Sequence, residues 1–141
     1  HTYNPISLSE NQTKKLINYS EKIITELNHI GVLAVEFFIT KDQILVNEIA
    51  PRVHNSGHWT IDACSISQFE QHMLCVSGNE IKEPVLKNSA HMINIIGKEI
   101  EDWCDKNNTE KVKIHLYNKK EAKKGRKMGH VTELFSKEKI F

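Results

Sequence analysis

The tightest constraint on the fold lies between Val32 and Ile49, where "VLAVEFFIT", "KDQ" and "ILVNEI" follow one another without interruption. Leu33, Val35, Phe37 and Ile39 are apolar at every second position, and Leu45, Asn47 and Ile49 form the corresponding set in the second run. That alternation predicts two strands joined as a hairpin. With Lys41, Asp42 and Gln43 as the loop, Thr40 pairs with Ile44 and Phe38 with Val46, which sets Glu36 opposite Glu48. Directly opposed residues of an antiparallel pair share one face, with Cβ atoms about 4.5–5.5 Å apart. Two carboxylates so placed repel unless a cation lies between them. An all-oxygen donor set suits Mg²⁺, which keeps waters and takes further ligands from phosphates. The other reading is a solvated face with two hydrated acids, and spacing alone does not choose between them.

The flanking segments add helices. Ser9-Glu-Asn-Gln12 predicts a capping box, and Leu16, Ile17, Ile23, Ile24 and Leu27 follow near the helical period before Gly31. Ser67-Gln-Phe-Glu70 predicts a second capping box, with Phe69, Met73 and Val76 as a core-facing stripe and Gly78 as the stop. Around Pro84 the periodicity lapses in "KEPVLKN", which marks the best boundary between an early part, 1–84, and a later one, 85–141. In the later part "AHMINIIG" and "VKIHLY" predict strands, "KEIEDWCDKN" a short helical or turn segment, and "GHVTELF" a weaker strand. The whole therefore reads as α+β.

Composition removes several classes of function. A formal charge of +1, with 39% hydrophobic and 26% charged residues, gives no global attraction to nucleic acid or membrane. No apolar run approaches the roughly 20 residues of a membrane span. Cys64, Cys75 and Cys104 form an odd set without C-x-x-C spacing, so neither a disulfide framework nor a thiolate metal site is indicated, and a reducing, cytoplasmic setting fits best. The chain opens on His1 and enters a helix within ten residues, which suggests a piece of a longer polypeptide.

Most of the polar chemistry sits in "NEIAPRVHNSGHWT", Asn47 to Thr60, directly after the second predicted strand. Loops that carry so many hydrogen-bonding groups beside a rigid scaffold are where binding or catalysis usually sits. A second concentration is the basic run "KKEAKKGRK", Lys119 to Lys127, with six basic residues and one acid. Taken alone, that run is more often a solvated loop than a ligand site.

With Glu36, Glu48, "NEIAPRVHNSGHWTIDACSISQFE" and "GRKMGH" together, the chain resembles the 5-(carboxyamino)imidazole ribonucleotide synthase family of ATP-grasp ligases, from about Ile23 to His130. The resemblance implies the C-terminal half of an ATP-grasp domain over 1–84, an antiparallel sheet with helices, and a small β-rich C-terminal subdomain over 85–141. It implies a reaction in which ATP phosphorylates bicarbonate to carboxyphosphate and the carboxyl group passes to the amine of 5-aminoimidazole ribonucleotide. Glu36 and Glu48 would then hold Mg²⁺ or Mn²⁺ at the ATP phosphates, with Asn47 and Glu48 on the nucleotide side. Arg52 would face bicarbonate or carboxyphosphate, since a guanidinium fork suits a planar oxyanion. His54 and Asn55 would line the place where the carboxyl group meets the imidazole. Lys119, Arg126 and Lys127 would reach the ribonucleotide phosphate. A homodimer is implied for the intact enzyme, with neither nucleic acid nor membrane as partner.

Two departures qualify the match. Ala50 stands where many ATP-grasp enzymes place a further metal-binding asparagine, and the basic run is one residue longer than the family pattern, so Lys119 and Lys120 compete for one role. The family's N-terminal domain and its phosphate-contacting lysine have no counterpart in this sequence, so the chain alone is predicted to be inactive. Competing readings are another ATP-grasp carboxylase, a formate-dependent ribonucleotide transformylase, or, from a different class, a non-catalytic module binding RNA or a polyanion through the basic run. His54 and His58 stand four apart near Cys64, but the intervening loop lacks H-E-x-x-H, which disfavours zinc. His91, His115 and His130 are predicted to be structural, with only His130 having some claim to the ligand site.

Overall fold

The computed structural model describes residues 1–41 and 43–140. In chain order its elements are β1 (Thr2–Asn4), α1 (Glu10–Glu26), β2 (Ala34–Ile39), β3 (Ile44–Ala50), a 3-10 turn (Asn55–Gly57), α2 (Thr60–Ala63), α3 (Gln68–Val76), β4 (Ser89–Ile96), a second 3-10 stretch (Gly97–Asp102), β5 (Val112–Leu116) and β6 (Lys127–Phe135). This is a mixed α+β chain with antiparallel sheets. Asp42, inside the predicted hairpin loop, and Phe141 lie outside the described residues. The chain divides into two compact units, one of residues 7–61 and 66–84, the other of residues 1–6, 62–65 and 85–141.

In the first unit α1 starts as its sequence dictates. The Ser9 hydroxyl accepts from the Gln12 N–H at 3.2 Å, and Gln12 Oε1 accepts from the Ser9 N–H at 2.9 Å. The helix ends earlier than Gly31, because Asn28 takes a left-handed conformation with φ 46°. The Asn28 N–H then donates to Thr25 O and the His29 N–H to Ile24 O, the paired bonds that close a Schellman terminus. Gly31 has another cause: a Cβ there would lie 2.7 Å from the His72 ring, whose Nδ1 accepts from the Val32 N–H at 3.0 Å. Gly78, in contrast, does end α3 as predicted, with φ 69° and the same pair of closing bonds.

Two expectations for α3 need correction. Ser67 caps the Glu70 N–H at 3.1 Å, but the Glu70 carboxylate turns away to Lys82 Nζ at 2.8 Å, and no return bond to Ser67 is made. The Phe69, Met73, Val76 stripe is not core: these side chains are 38%, 61% and 49% exposed.

The second unit is a four-stranded antiparallel sheet in the order β1-β4-β6-β5. Ile95, Met128 and Val131 form its buried centre, packed by Ile100, Trp103, Val112, Ile114, Leu116 and Ala122. The strand expected to be weakest, β6, is the longest and pairs on both sides. Two short segments from earlier in the chain complete this unit. Residues 2–4 pair with β4 as an edge strand. Residues 63–65 are tied by Ser65 N–H to Val85 O at 2.8 Å and by Lys87 N–H to Ala63 O at 2.7 Å.

Candidate active site

The β2–β3 hairpin carries the acidic pair. Ile39 pairs with Ile44, Phe38 with Leu45 and Phe37 with Val46, so the loop is one residue longer than predicted and the register is offset from the predicted one. A bulge between Glu36 and Phe37 then absorbs one extra residue on β3, and beyond it Glu36 pairs with Glu48 after all. The extra residue is Asn47. Two residues of a bulged strand oppose one on its partner, and this is why the Asn47 side chain reaches the acidic face. Its Nδ2 donates to Glu36 Oε2 at 3.2 Å. The two carboxylates are 37% and 52% exposed.

His54 meets the same pair from the loop that follows. Its Nδ1 lies 3.6 Å from Glu36 Oε1 and its Nε2 lies 3.7 Å from Glu48 Oε1, so the imidazole presents one nitrogen to each acid. The ring is further held by Ser56 Oγ, 2.8 Å from Nδ1. The His54 backbone is extended, and the residue caps the 3-10 turn that Asn55 begins. Arg52, exposed, donates from Nη1 to the Val53 carbonyl at 2.9 Å. Glu36, Asn47, Glu48 and His54 thus converge, and Arg52 and Asn55 flank His54 in the sequence.

The side chain that fixes this loop is Gln68, which the sequence pattern places in a capping box and whose amide binds the backbone of His54 and the ring of His58. The signal present in the sequence was Gly57 between two loop histidines, since a Cβ at that glycine would fall 2.7 Å from Gln68 Oε1.

In the other unit the basic residues flank the start of β6. Lys119 Nζ donates to the Lys127 carbonyl at 2.6 Å, and the turn is closed by Arg126 N–H to Lys123 O at 3.0 Å. The loop rests on Gly97, whose N–H donates to Arg126 O at 2.8 Å and whose φ of 56° and closeness to Lys123 O, 3.1 Å from a Cβ, call for glycine. Lys119 and Lys127 are therefore linked directly, and Arg126 sits exposed between them.

The same sheet brings together Asp62, His115 and His130, whose ligand atoms lie within 4.8 Å of one another. Asp62 Oδ2 is 2.9 Å from His115 Nε2, the His115 and His130 rings stack at 4.6 Å, and the Tyr117 hydroxyl is 2.7 Å from His130 Nδ1. His115 and His130 are direct cross-strand partners. The Asp62–His115 contact and the stacked rings tie residue 62 to the sheet.

Two family models match the chain. A model described as an ATP-grasp domain matches residues 1–69, and one described as the phosphoribosylaminoimidazole carboxylase C-terminal domain matches residues 90–140. The N5-carboxyaminoimidazole ribonucleotide synthase of Brucella melitensis is 45% identical over 135 residues, covering 92% of this chain and 36% of that protein. The chain belongs to the N5-carboxyaminoimidazole ribonucleotide synthase family. The Bacillus subtilis member is 43% identical over 130 residues, covering 91% of this chain and 34% of the relative. Among solved members, the Staphylococcus aureus synthetase complexed with ADP superposes with a TM-score of 0.85 at 40% identity, covering 94% of this chain and 36% of that one. The Aspergillus clavatus synthase, solved in complex with ADP and 5-aminoimidazole ribonucleotide, gives 0.83 at 34% identity, with 95% and 38% covered. The chain spans about a third of the length of the curated relatives it matches.

Proposed function

We propose that this chain is the C-terminal part of a cytoplasmic, homodimeric ligase that carboxylates 5-aminoimidazole ribonucleotide with bicarbonate and ATP, releasing ADP and phosphate. In this reading residues 1–84 complete an ATP-grasp domain and 85–141 form the small C-terminal subdomain. The observation that carries it is the convergence of Glu36, Asn47, Glu48 and His54 at the bulged hairpin. Family membership supports the reaction, and the nucleotides bound by the solved members support ATP and the ribonucleotide as ligands. No helix among the described residues is long and apolar enough to cross a membrane.

The donor set fits a hard divalent cation: two opposed carboxylates, partly exposed, with a side-chain amide beside them and no sulfur. Glu36 and Glu48 would hold Mg²⁺ or Mn²⁺, which when bound offsets the charge of the ATP phosphates. Phosphoryl transfer to bicarbonate then depends on positioning and charge neutralisation more than on covalent help from the protein. Arg52, once released from the Val53 carbonyl, offers a bidentate fork to the planar bicarbonate or carboxyphosphate. His54 and Asn55 meet the carboxyl group as it is handed to the exocyclic amine. Lys119, Arg126 and Lys127 neutralise the ribonucleotide phosphate.

The test is turnover by the complete enzyme that carries this segment. ADP release that requires both bicarbonate and 5-aminoimidazole ribonucleotide, with carboxylated ribonucleotide as product, is the expected result. ADP release driven instead by formate or by another acceptor would assign the chain to a different ATP-grasp reaction. The isolated chain is expected to show no bicarbonate-dependent ATP hydrolysis.

A further inference from the structure

We infer that Gln68 is a positioning residue for carboxyl transfer, acting through His54; the inference rests on the role proposed above for His54. Its side-chain amide brackets the His54 peptide. Oε1 accepts from the His54 N–H at 2.9 Å, and Nε2 donates to the His54 carbonyl at 2.7 Å. These are the two bonds that a neighbouring β-strand would make to an extended residue, supplied here by one side chain. His54 has the matching conformation, φ −127° and ψ 150°. The same Nε2 lies 2.8 Å from His58 Nδ1, which orients a second loop histidine.

Gln68 is itself held in place. Its N–H donates to the Thr60 hydroxyl at 3.0 Å, and that hydroxyl donates to the Gly57 carbonyl at 2.6 Å. Gly57 leaves the room the amide needs, since a Cβ there would stand 2.7 Å from Oε1 and 3.0 Å from Cδ. With the His54 backbone fixed on both sides and Ser56 on its Nδ1, little freedom remains to the ring that faces Glu36 and Glu48. Misplacement of a reacting group's partner by about 1 Å can cost on the order of a hundredfold in rate. Only glutamine has the required chemistry at this length: glutamate keeps the acceptor but sets an oxygen against the His54 carbonyl, and methionine keeps the shape without either bond.

The test uses the complete enzyme, assayed for carboxylated ribonucleotide. Gln68→Met is expected to lower kcat by about tenfold or more, with the KM for ATP changed less than about twofold. Combined with His54→Ala, it is expected to cause no further loss, because residues acting as one unit are non-additive. Gly57→Ala, which keeps Gln68 but displaces its amide, is expected to give the same kcat loss, and it carries the test if Gln68→Met does not fold. Additive losses in the double variant, or an unchanged kcat in Gln68→Met, would overturn the inference. If His54→Ala itself turns over normally, the role of His54 fails first. A kcat loss from Gln68→Met in that situation would show that Gln68 acts by another route.

Discussion

Glu36 and Glu48 are direct cross-strand partners in a hairpin whose turn and strand are each irregular by one residue. The four-residue loop shifts the register one way, and the bulge at Asn47 shifts it back. A regular strand would place the Asn47 and Glu48 side chains on opposite faces. The bulge instead lets Asn47 donate to Glu36 at 3.2 Å while Glu48 stays opposite. What the irregularity adds is therefore a neutral amide beside two acids, where a third charge would raise the repulsion.

This predicts the effect of Asn47→Asp on the chain itself. A third carboxylate on one sheet face should destabilise it by about 0.5–1 kcal/mol, which for a chain of this size lowers the thermal midpoint by a few degrees, at roughly 2–8 °C per kcal/mol. Millimolar Mg²⁺ or Mn²⁺ should restore most of that loss in the variant and raise the wild-type midpoint less. Melting curves in chelator and in metal read this directly, and a midpoint indifferent to metal in both proteins would remove the metal from the hairpin.

In the complete enzyme, Glu48→Gln should reduce ADP formation by about a hundredfold or more while leaving the fold intact, since it keeps size and polarity and removes one charge. Circular dichroism controls for the fold. Near-normal turnover would end the assignment of Glu48 as a ligand.

How much of this was legible depended on the distance over which each feature is decided. The Ser9 and Gln12 box lies within one turn, and the sequence showed it. Asn28 and Gly31 both offer a left-handed position to end the helix, and the glycine is required by His72, forty-one residues away. A three-residue loop would set Glu36 opposite Glu48; the loop is one residue longer, and the bulge restores that pairing. β1 has three residues and pairs with β4, nearly ninety residues later, so no local pattern could announce it. The α3 stripe had the right period, but periodicity reports a face and not its cover, and Met73 is 61% exposed. Gln68 stayed hidden because its partners are fixed by loop geometry.

The basic loop should behave differently from the acidic hairpin. Arg126→Ala is expected to raise the KM for the ribonucleotide by about tenfold and leave kcat within about threefold, because a phosphate contact made equally in ground and transition states is uniform binding. Lys119→Ala should do more, since it also releases the Lys127 carbonyl that Nζ holds at 2.6 Å. Steady-state kinetics at varied ribonucleotide separate the two. A fall in kcat alone for Arg126→Ala would exclude a phosphate role.

The polar tie in the sheet unit is a stability prediction. Asp62 is 11% exposed at its side chain and His115 30%, and their contact is 2.9 Å. Asp62→Ala should cost about 1–2 kcal/mol, the range for a partly buried bond to a charged group discounted for solvent. Asp62→Asn, which can still pair with the ring, should cost less than half as much. Urea unfolding measures both, and equal losses would show that packing rather than the hydrogen bond is at stake.

The cysteines make the last prediction. Burial pushes the Cys64 thiol above its ordinary 9.0, although Lys87 pulls it the other way, whereas Cys104 is exposed. The thiolate is the nucleophile, so iodoacetamide at pH 8 should modify Cys104 first and Cys64 about tenfold more slowly, with the two rates converging as the pH rises. The sign for stability follows from the same shift. A thiol that keeps its proton longer in the folded state favours folding below pH 9.0 and loses that contribution as the pH rises from 9.0 through the folded value. Peptide mass mapping over a labelling time course from pH 7 to 10 checks the order. Labelling of Cys64 ahead of Cys104 at pH 8 would show that residues 62–65 open far more readily than their bonds to Val85 and Lys87 imply.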